Sequence, residues 1–244
     1  MVDGVVLVVT ELEDVTADLV IEALNERETA VARVDPADIG PGLVFSGRIG
    51  PAVSRWGGRL RTASRVIELE QVRSVYYRRP GRWRFDHLDE QAKKFATAEA
   101  RHGLGGLLTQ LPHARYVNHP AATAVADFKI AQLQVAAGLG LVIPATLVTN
   151  DLEEAKEFAA EHTSVIYKAF RGLPAGLDGT AGAIWTQRVD PGQFDDSLLV
   201  SAHLFQAEVP KVSDARVTVV GSRVFAQQIT TVNRDLDWRR GDWS

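Results

Sequence analysis

A strand, helix, strand pattern at the amino terminus constrains the fold of this chain more than any other feature. Val5–Val9 is a continuous run of β-branched and aliphatic residues, which is typical of a buried strand in a parallel sheet. Apolar residues recur at helical spacing over residues 17–24, after the capping residues Thr10 and Asp14, and residues 30–34 supply a second strand. The pattern therefore predicts the opening of a doubly wound α/β domain.

The elements predicted next belong to the same domain. Short strands separated by glycine turns are expected over residues 43–61, and a further strand is expected over residues 74–80. A polar helix is predicted over residues 89–103, and residues 104–111 continue it or begin a second helix. The turn at residues 117–120 then marks a domain boundary.

We therefore expect an amino-terminal domain of residues 1–117 and a second domain of residues 118–244. The elements predicted for the second domain are helices at 121–139 and 152–162 and strands at 144–149, 165–168, 204–209, 215–220 and 224–226. The last two strands are a hairpin candidate around Gly221. Alternating strands and helices with antiparallel strands late in the chain favour an α+β second domain.

Composition and charge exclude several classes of function. Among 244 residues, 45% are apolar and the formal net charge is −4, which fits a globular protein and disfavours a dedicated nucleic-acid-binding protein. The chain has no cysteine, so disulfides, thiolate metal sites and cysteine nucleophiles are excluded. No apolar run reaches the roughly 18–20 residues that span a bilayer, and no secretion signal precedes the first strand. We expect a cytoplasmic protein without nucleic-acid or membrane partners.

Standard catalytic and metal-binding motifs are missing from the sequence. It contains no Walker-type phosphate loop, no serine nucleophile elbow and no histidine spacing typical of a metal site. No residue is therefore predicted to be a metal ligand, and hydrolase functions are disfavoured.

The lysines of the second half are the strongest remaining pointers to chemistry, since only six of the 27 basic residues are lysine. Lys168 ends an apolar strand, where a half-buried ammonium needs an anion or an acceptor. The glycine-rich run 172–179 follows four residues later, and backbone N–H groups of such a loop can surround phosphates. The two features indicate a nucleotide pocket; the alternative is a strand-end lysine that reaches solvent beside a plain glycine turn.

Several segments carry, by their order and spacing, a resemblance to one enzyme family. They are Tyr77-Arg78-Arg79-Pro80, Asn118-His119-Pro120, Lys129 with residues 132–134, residues 144–150, residues 165–168 with the glycine-rich run, residues 205–211, residues 214–221 and Asp237-Trp238-Arg239. From about residue 4 to residue 239 the chain resembles the ATP-grasp ligases, and more narrowly the microviridin-type macrocyclases (graspetide synthetases) that modify ribosomally made peptides. The resemblance implies a pre-ATP-grasp domain followed by an ATP-grasp region.

The resemblance also implies roles for individual residues. The implied ATP-binding set is Lys129, Lys168, Gly172, Gly176, Gly179, Gln206, Glu208, Val209 and Lys211. In this set Lys129 and Lys168 contact phosphates, and Lys211 lies at the rim of the pocket. The glycine loop closes over the triphosphate, and the backbone of residues 206–209 reads the adenine edge, with Glu208 near the nucleotide. Arg216 and Arg239 are implied to neutralise the γ-phosphate and the acyl phosphate formed from it. Arg78 and Arg79 are implied to bind the peptide substrate; the alternative is that they form structural salt bridges.

The function implied is that of a ligase dependent on ATP and Mg2+. ATP phosphorylates an Asp or Glu side chain of a precursor peptide, and a Ser or Thr hydroxyl or a Lys amine of the same peptide then displaces phosphate. The product is an ω-ester or ω-amide ring, and catalysis rests on positioning and charge neutralisation. The implied partners are a precursor peptide with its leader segment and a second copy of the chain in a homodimer.

The chain departs from the family in its magnesium ligands. The family holds Mg2+ with a late Glu-x-Asn pair, and no such triplet occurs before the last residue, Ser244. We therefore expect that the magnesium-binding segment is missing by truncation and that this chain is a weak or inactive catalyst. Two alternatives stay open: another ATP-grasp carboxylate–amine ligase, and a non-catalytic module that binds peptide or nucleotide.

Overall fold

The computed structural model describes residues 4–171, 184–231 and 236–240. The chain divides into two compact units, Met1–Asp127 and Phe128–Ser244, each with a hydrophobic core of its own. The boundary that the sequence predicts between residues 117 and 118 stays a prediction. Among the described residues, no helix combines the length and the apolar character needed to cross a bilayer.

A parallel sheet forms the centre of the first unit. The strands of this unit are β1 (Val5–Val9), β2 (Val31–Val34), β3 (Leu43–Gly50), β4 (Val53–Thr62), β5 (Val66–Glu68), β6 (Val72–Tyr77) and β7 (Arg115–Val117), and its helices are α1 (Val15–Asn25), α2 (Glu90–Leu108) and α3 (Pro120–Ala126). Strands β2, β1, β6 and β7 are parallel in that order, with Leu7 between Ala32 and Val75. The parallel sheet predicted from the amino-terminal pattern is confirmed.

The burial of β1 explains its unbroken apolar run. Leu7, Val8 and Val9 are fully buried, and burying each such side chain contributes about 1.5–3 kcal/mol. The chain then turns into α1 at Asp14, whose carboxylate accepts from Ala17 N at 3.3 Å and from Thr10 Oγ1 at 2.7 Å. Asp14 is therefore the N-cap that ends the turn after β1 and begins the helix.

The antiparallel sheet β3-β4-β5 corrects one prediction. The sequence predicts glycine turns in this region, but Gly57 and Gly58 lie inside β4, opposite Arg48 and Gly47 of β3. Gly58 has a φ of +141°, and a Cβ at this position would lie 2.1 Å from Ser46 O. Glycine therefore permits a close approach of two strands here and does not reverse the chain.

The helices differ from the prediction at one boundary. α2 does not end at Gly103 but continues to Leu108, so residues 104–108 belong to the same helix. Leu104, Leu107 and Leu108 of this last part pack into the core. The single helix predicted over residues 121–139 is wrong, because Phe128 is extended (φ −71°, ψ 107°) and separates α3 from the next helix. Lys129 is therefore the first residue of a helix and does not lie in a helix interior.

An antiparallel sheet with one packed helix forms the centre of the second unit. Its strands are β8 (Thr146–Thr149), β9 (Val165–Tyr167), β10 (Gln187–Arg188), β11 (His203–Ala207), β12 (Asp214–Val220) and β13 (Arg223–Ile229), and its helices are α4 (Lys129–Gly138) and α5 (Leu152–Glu161). Strands β10, β9, β11 and β8 are hydrogen-bonded in that order, and Ala155 and Ala159 of α5 pack against Val165 and Phe205. The predicted α+β character is confirmed.

Strands β12 and β13 form a separate two-stranded ribbon. They pair antiparallel from Asp214 with Ile229 to Val220 with Arg223, and Gly221 in the turn has a φ of +60°. A positive φ is the conformation that a tight hairpin turn requires and that glycine adopts without strain. The hairpin predicted around Gly221 is therefore present.

Candidate functional site

A cavity of about 400 Å³ lies in the second unit beside the adjacent strands β9 and β11. Its polar and charged lining consists of Lys168, Thr186, Gln206, Lys211, Asp214, Asp237 and Arg239, and its apolar lining consists of Ile166, Ala207, Val209, Leu236 and Trp238. The lining thus combines three cations, two carboxylates and an apolar patch. This volume lies within the roughly 300–1,000 Å³ of small-molecule sites. An excess of cations suits a polyanion with an apolar portion.

Lys168 is held at the end of β9 by its backbone and by its side chain. Its backbone N–H donates to Leu204 O at 3.0 Å, and its Nζ donates to Gln206 Oε1 at 2.7 Å. Burial lowers the pKa of the Lys168 ammonium, and the positive charge of Lys129 lowers it further. An ammonium has three N–H donors, so Lys168 keeps donors for an anion in the cavity.

Gln206 connects Lys168 to the neighbouring strand β8. The pairing of β11 with β8 sets Gln206 opposite Thr146, and Gln206 Nε2 donates to Thr146 Oγ1 at 2.9 Å. The Thr146 hydroxyl in turn donates to Pro144 O at 2.9 Å. The resemblance implies a role for Gln206 through its backbone alone, whereas the structure gives its buried side chain two partners.

The other two lysines of the implied set lie close enough to act on Lys168. Lys211 Nζ donates to Asp214 Oδ2 at 2.7 Å and to Leu236 O at 2.9 Å, and Lys211 lines the cavity. Lys129 lies outside the described lining, and its Nζ donates to Phe170 O at 2.7 Å. After burial, the charge of Lys129 is the largest influence on the Lys168 pKa, and Lys211 acts in the same direction. The fold therefore gathers all three lysines that sequence analysis singled out.

Arg239 is held by Asp237, two residues earlier. Arg239 Nε donates to Asp237 Oδ1 at 2.8 Å and Nη2 donates to Oδ2 at 2.6 Å, a bidentate pair that fixes the guanidinium plane. The Arg239 guanidinium also lies 5.4 Å from the centre of the Trp185 ring. Hydrogen bonds from Arg239 lower the pKa of the nearly buried Asp237 to about 2 against the opposing effect of burial. The pair fixes the orientation of the guanidinium, and the contact of Arg239 with Trp185 connects residues 236–240 to residues near β10.

The Glu208 side chain points to different partners from the ones that the resemblance implies. Its Oε1 accepts from Arg188 Nη2 at 2.7 Å, and its Oε2 accepts from Arg188 Nε and Ser164 Oγ, each at 2.7 Å. These hydrogen bonds, with that of Arg188 foremost, lower the pKa of Glu208. Glu208 is not among the residues that line the described cavity. Its neighbour Val209 does line it, and the Val209 N–H has no hydrogen-bond acceptor among the described residues.

Other residues of the implied set lie outside this constellation. Arg216 is exposed on β12, opposite Gln227 of β13, and is not part of the described cavity lining. Gly172, Gly176 and Gly179 fall outside the described residues. The structure therefore brings Arg239 to the cavity, leaves Arg216 on the ribbon, and says nothing of the glycine loop.

Arg78 and Arg79 follow β6 in the first unit, and their backbone is fastened to the end of β1. Arg78 N donates to Val9 O at 2.9 Å, and Arg79 O accepts from Glu11 N at 2.8 Å and Thr10 Oγ1 at 3.3 Å. The Arg78 Nε lies 3.7 Å from Asp14 Oδ2.

The two guanidinium groups differ in their surroundings. Burial alone would raise the pKa of Asp14, but the hydrogen bonds from Thr10 and Ala17 and the charges of Arg78 and Arg79 hold it below its usual range. The exposed Arg79 guanidinium makes no hydrogen bond to another described residue. Arg78 therefore has a structural partner, whereas Arg79 offers its charge to solvent.

The structure adds residues that sequence analysis did not assign. Thr146 and Trp185 contact site residues, and Arg188 holds Glu208. Asp237 belongs to a segment that carries the resemblance, but no role was predicted for its side chain, although its spacing to Arg239 is visible in the sequence. Within the part of the chain that the structure describes, no group of three or more histidine, aspartate or glutamate side chains could hold a metal ion.

Comparison with known families identifies the first unit. Residues 5–124 match the family model described as the MvdD pre-ATP grasp domain. A sequence search among curated proteins found no match.

Comparison with solved structures extends the likeness to the whole chain. The chain is 29% identical, with a TM-score of 0.85, to a RiPP-associated ATP-grasp ligase of Chryseobacterium gregarium in complex with ADP and a leader and core peptide. It is 28% identical (TM-score 0.84) to macrocyclase MdnC of Microcystis aeruginosa MRC bound with precursor peptide MdnA, and 27% identical (TM-score 0.79) to macrocyclase MdnB of the same organism. These matches cover 97%, 93% and 94% of this chain and 73%, 76% and 76% of those chains, respectively.

Proposed function

We propose that this chain, which belongs to the ATP-grasp ligases associated with ribosomally made and modified peptides, uses ATP to join two side chains of a precursor peptide. One observation carries the proposal. Lys168, Lys211 and Arg239 line one cavity that also has apolar residues. A nucleoside triphosphate needs both, cations for its phosphates and an apolar surface for its base. The similarity to a ligase bound to ADP and to a macrocyclase bound to its precursor supports the same assignment.

The two kinds of lining suggest how ATP lies in the cavity. We propose that the adenine packs against Ile166, Ala207 and Val209, with the Val209 N–H available to the base edge. In the proposal the phosphates contact Lys168 and Lys211, which belong to the same lining. In the proposal Lys129 contributes positive charge next to Lys168, and the loop with Gly172, Gly176 and Gly179 covers the triphosphate and excludes water.

The proposed reaction has two steps. A carboxylate oxygen of an Asp or Glu side chain of the peptide attacks the γ-phosphorus of ATP; the bond from phosphorus to the bridging oxygen breaks, and ADP leaves. A Ser or Thr hydroxyl or a Lys amine then attacks the acyl carbon and releases phosphate, so the peptide loses one water per ω-ester or ω-amide ring. Arg239, and in the sequence-based proposal Arg216, neutralise the charge that builds on the transferred phosphoryl group.

Magnesium enters the proposal only as the ion that accompanies the phosphates of ATP. The carboxylates of the cavity wall are Asp214 and Asp237, and each is already paired with a cation, Lys211 and Arg239 respectively. The described residues therefore do not form a magnesium site by themselves. No step of the proposed reaction is assigned to the metal.

The proposed partner is a precursor peptide with a leader segment. Of the two arginines that follow β6, we propose that Arg79 binds this peptide, because Arg78 lies against Asp14. An exposed guanidinium binds carboxylates in bidentate fashion, and the proposed substrate presents Asp or Glu side chains. A homodimer and a cytoplasmic location remain predictions from the sequence.

Two other functions compete with this proposal. The cavity also fits an ATP-grasp ligase that joins a carboxylate of another substrate to an amine, and it fits a module that binds nucleotide or peptide without turnover. The observation that favours the binding module is the paired state of Asp214 and Asp237, because magnesium would have to displace Lys211 or Arg239 to bind either carboxylate.

Mass spectrometry of the peptide distinguishes these functions. The candidate precursor, encoded near this chain and rich in Ser or Thr and Asp or Glu, is incubated with the chain, ATP and Mg2+. A mass loss of one water per ring, dependent on ATP and missing in a Lys168→Met variant, is the result that we expect of a macrocyclase. Peptide binding without any mass change supports the binding module, and neither binding nor mass change contradicts the peptide assignment.

A further inference from the structure

A chain of three side chains runs from strand β8 into the cavity. Thr146 Oγ1 accepts from Gln206 Nε2 at 2.9 Å, and Gln206 Oε1 accepts from Lys168 Nζ at 2.7 Å. We propose that Gln206 and Thr146 are positioning residues that hold the Lys168 ammonium charged and aimed into the cavity. The proposal rests on the proposed function in one respect, namely that the cavity binds the phosphates of ATP.

The hydrogen bonds permit only one orientation of the Gln206 amide. The Thr146 hydroxyl has a single proton, and it is donated to Pro144 O at 2.9 Å. The remaining lone pairs of Oγ1 accept, so the amide must turn its NH2 group toward Thr146 and its oxygen toward Lys168. The reverse orientation would set the NH2 group of Gln206 against an ammonium, donor against donor. The carbonyl of Pro144 thereby decides, through two side chains, which end of the amide faces Lys168.

The acceptor that this network supplies to Lys168 is the neutral amide oxygen of Gln206, which leaves the positive charge of Lys168 in place. Four charged groups act on Lys168: Lys129 from α4, Lys211 from the segment before β12, Asp214 at the start of β12, and Asp237 from residues 236–240, whereas its neighbours on β11 and β8, Gln206 and Thr146, are neutral. Each lining carboxylate already has its own cation. An amide oxygen stabilises the ammonium without cancelling its charge, so the charge stays available to a phosphate. A glutamate at this position would form an ion pair and compete with the phosphate for Lys168.

The burial of Gln206 and Lys168 makes the network necessary. Gln206 is 5% exposed, and Lys168 is partly buried, in surroundings that disfavour its charged form. A buried ammonium beside two other cations loses its proton more easily unless an acceptor remains beside it. The same acceptor removes freedom from a long side chain, so less conformational entropy is lost when a phosphate binds.

Substitutions on strand β8 test the proposal without touching the cavity. Thr146→Val keeps the shape of the side chain but removes the hydroxyl, which frees the amide of Gln206 to rotate away from Lys168. Thr146→Ser keeps the hydroxyl. Thr149→Val is the matched control, because Thr149 lies on the same strand and its Oγ1 accepts a hydrogen bond from Asp151 N at 2.9 Å, outside this network. A further variant, Gln206→Glu on β11, does alter the cavity lining and supplies a charged acceptor instead of a neutral one.

Two readouts are needed, one of which does not involve ATP. The first is the reaction rate of the Lys168 amine with an acylating reagent between about pH 7.5 and about pH 10, followed by mass spectrometry, which reports the pH at which the amine loses its proton. The second is the dissociation constant of ATP in the presence of Mg2+. We expect Thr146→Val to move the midpoint of the labelling curve to lower pH and to weaken ATP binding about three- to tenfold, whereas Thr146→Ser and Thr149→Val retain both values. We expect Gln206→Glu to move the midpoint to higher pH and nonetheless to weaken ATP binding.

The possible results separate this proposal from the proposed function. If the Thr146→Val protein is folded and its Lys168 labelling curve has the wild-type midpoint, the positioning role is overturned, irrespective of the affinity for ATP. Equal shifts in Thr146→Val and Thr149→Val also overturn it, because they indicate a general loss of strand stability. If the wild-type chain does not bind ATP but the midpoint shifts as expected, the positioning of Lys168 stands and the nucleotide assignment fails.

Discussion

Asp237 and Arg239 form a two-point ion pair across a single intervening residue, with distances of 2.8 Å for Nε to Oδ1 and 2.6 Å for Nη2 to Oδ2. Asp237 also accepts weakly from Thr186 N at 3.5 Å, so the carboxylate contacts two segments that are distant in the chain. A guanidinium that is to bind a phosphate, as we propose for Arg239, benefits from such a support, because a free guanidinium samples many rotamers. The pair therefore holds the Arg239 guanidinium in one orientation at the cavity wall.

The first prediction concerns the pH dependence of this pair. The folded pKa of Asp237 is about 2, below its ordinary value of 3.8, so the pair stabilises the folded state above pH 3.8 and this contribution is lost as the pH falls toward about 2. We expect Asp237→Asn to lower the free energy of unfolding by about 1–2 kcal/mol at neutral pH, since the exposed side of Arg239 screens part of the interaction. Urea unfolding at neutral pH and at about pH 3 measures this, and the difference from wild type should be smaller at the lower pH, which lies between the ordinary and the folded pKa of Asp237.

A control for Asp237→Asn is Glu153→Gln, which breaks the exposed pair of Glu153 with Lys156 on α5. Exposed pairs of this kind contribute about 0.3–0.5 kcal/mol. An equal loss of stability in both variants would show that the Asp237 pair is an ordinary surface ion pair.

The second prediction separates Glu208 from the cavity. The resemblance implies that Glu208 contacts the nucleotide, whereas its carboxylate is occupied by Arg188 and Ser164. We expect Glu208→Gln to lower the free energy of unfolding by up to about 1 kcal/mol, because Arg188 is largely exposed, and to weaken ATP binding far less than Lys168→Met does. Because the pKa of Glu208 is lowered, its contribution is present at neutral pH and lost as the pH falls. Thermal unfolding and ATP titration check the two parts, and a loss of ATP affinity as large as that of Lys168→Met would place Glu208 at the nucleotide.

The third prediction distinguishes the two arginines that follow β6. Arg78 lies 3.7 Å from the buried carboxylate of Asp14, and Arg79 is exposed. Arg78→Ala should lower the free energy of unfolding by about 1 kcal/mol, because it leaves Asp14 with less compensation. Arg79→Ala should change stability by less than about 0.5 kcal/mol and weaken the binding of a labelled precursor peptide. Fluorescence anisotropy and urea unfolding of both variants test this, and unchanged peptide affinity in Arg79→Ala would rule Arg79 out as a peptide contact.

The elements of the fold that depend on local pattern could be predicted from the sequence. The apolar run of β1, the cap Asp14 and the hairpin at Gly221 each rest on neighbouring residues, and each is present. The break at Phe128 could not be predicted, because the residues on both sides of it favour a helix. The turn predicted at Gly57 and Gly58 is wrong, because glycine occurs both in turns and where two strands approach closely, and only the partner strand distinguishes the two.

The site was predictable as a set of charges but not as a set of contacts. The strand-end position of Lys168 and the Asp-Trp-Arg segment are visible in the sequence, and both reach the cavity. The contact of Gln206 with Thr146 joins residues 60 positions apart, and it depends on the pairing of β8 with β11. The orientation of Glu208 likewise depends on Arg188 in β10, whose short strand has no strong sequence signal.

Direct titration of the chain with ATP and Mg2+ tests the central claim, that the cavity around Lys168 is a nucleotide site. The measurement compares the wild type with Lys168→Met and with Lys156→Met, which makes the same substitution at an exposed helix position. We predict that wild type and Lys156→Met bind ATP equally and that Lys168→Met binds at least about tenfold more weakly, since a partly buried charge–phosphate contact is lost. Equal ATP affinity in all three proteins would contradict the claim.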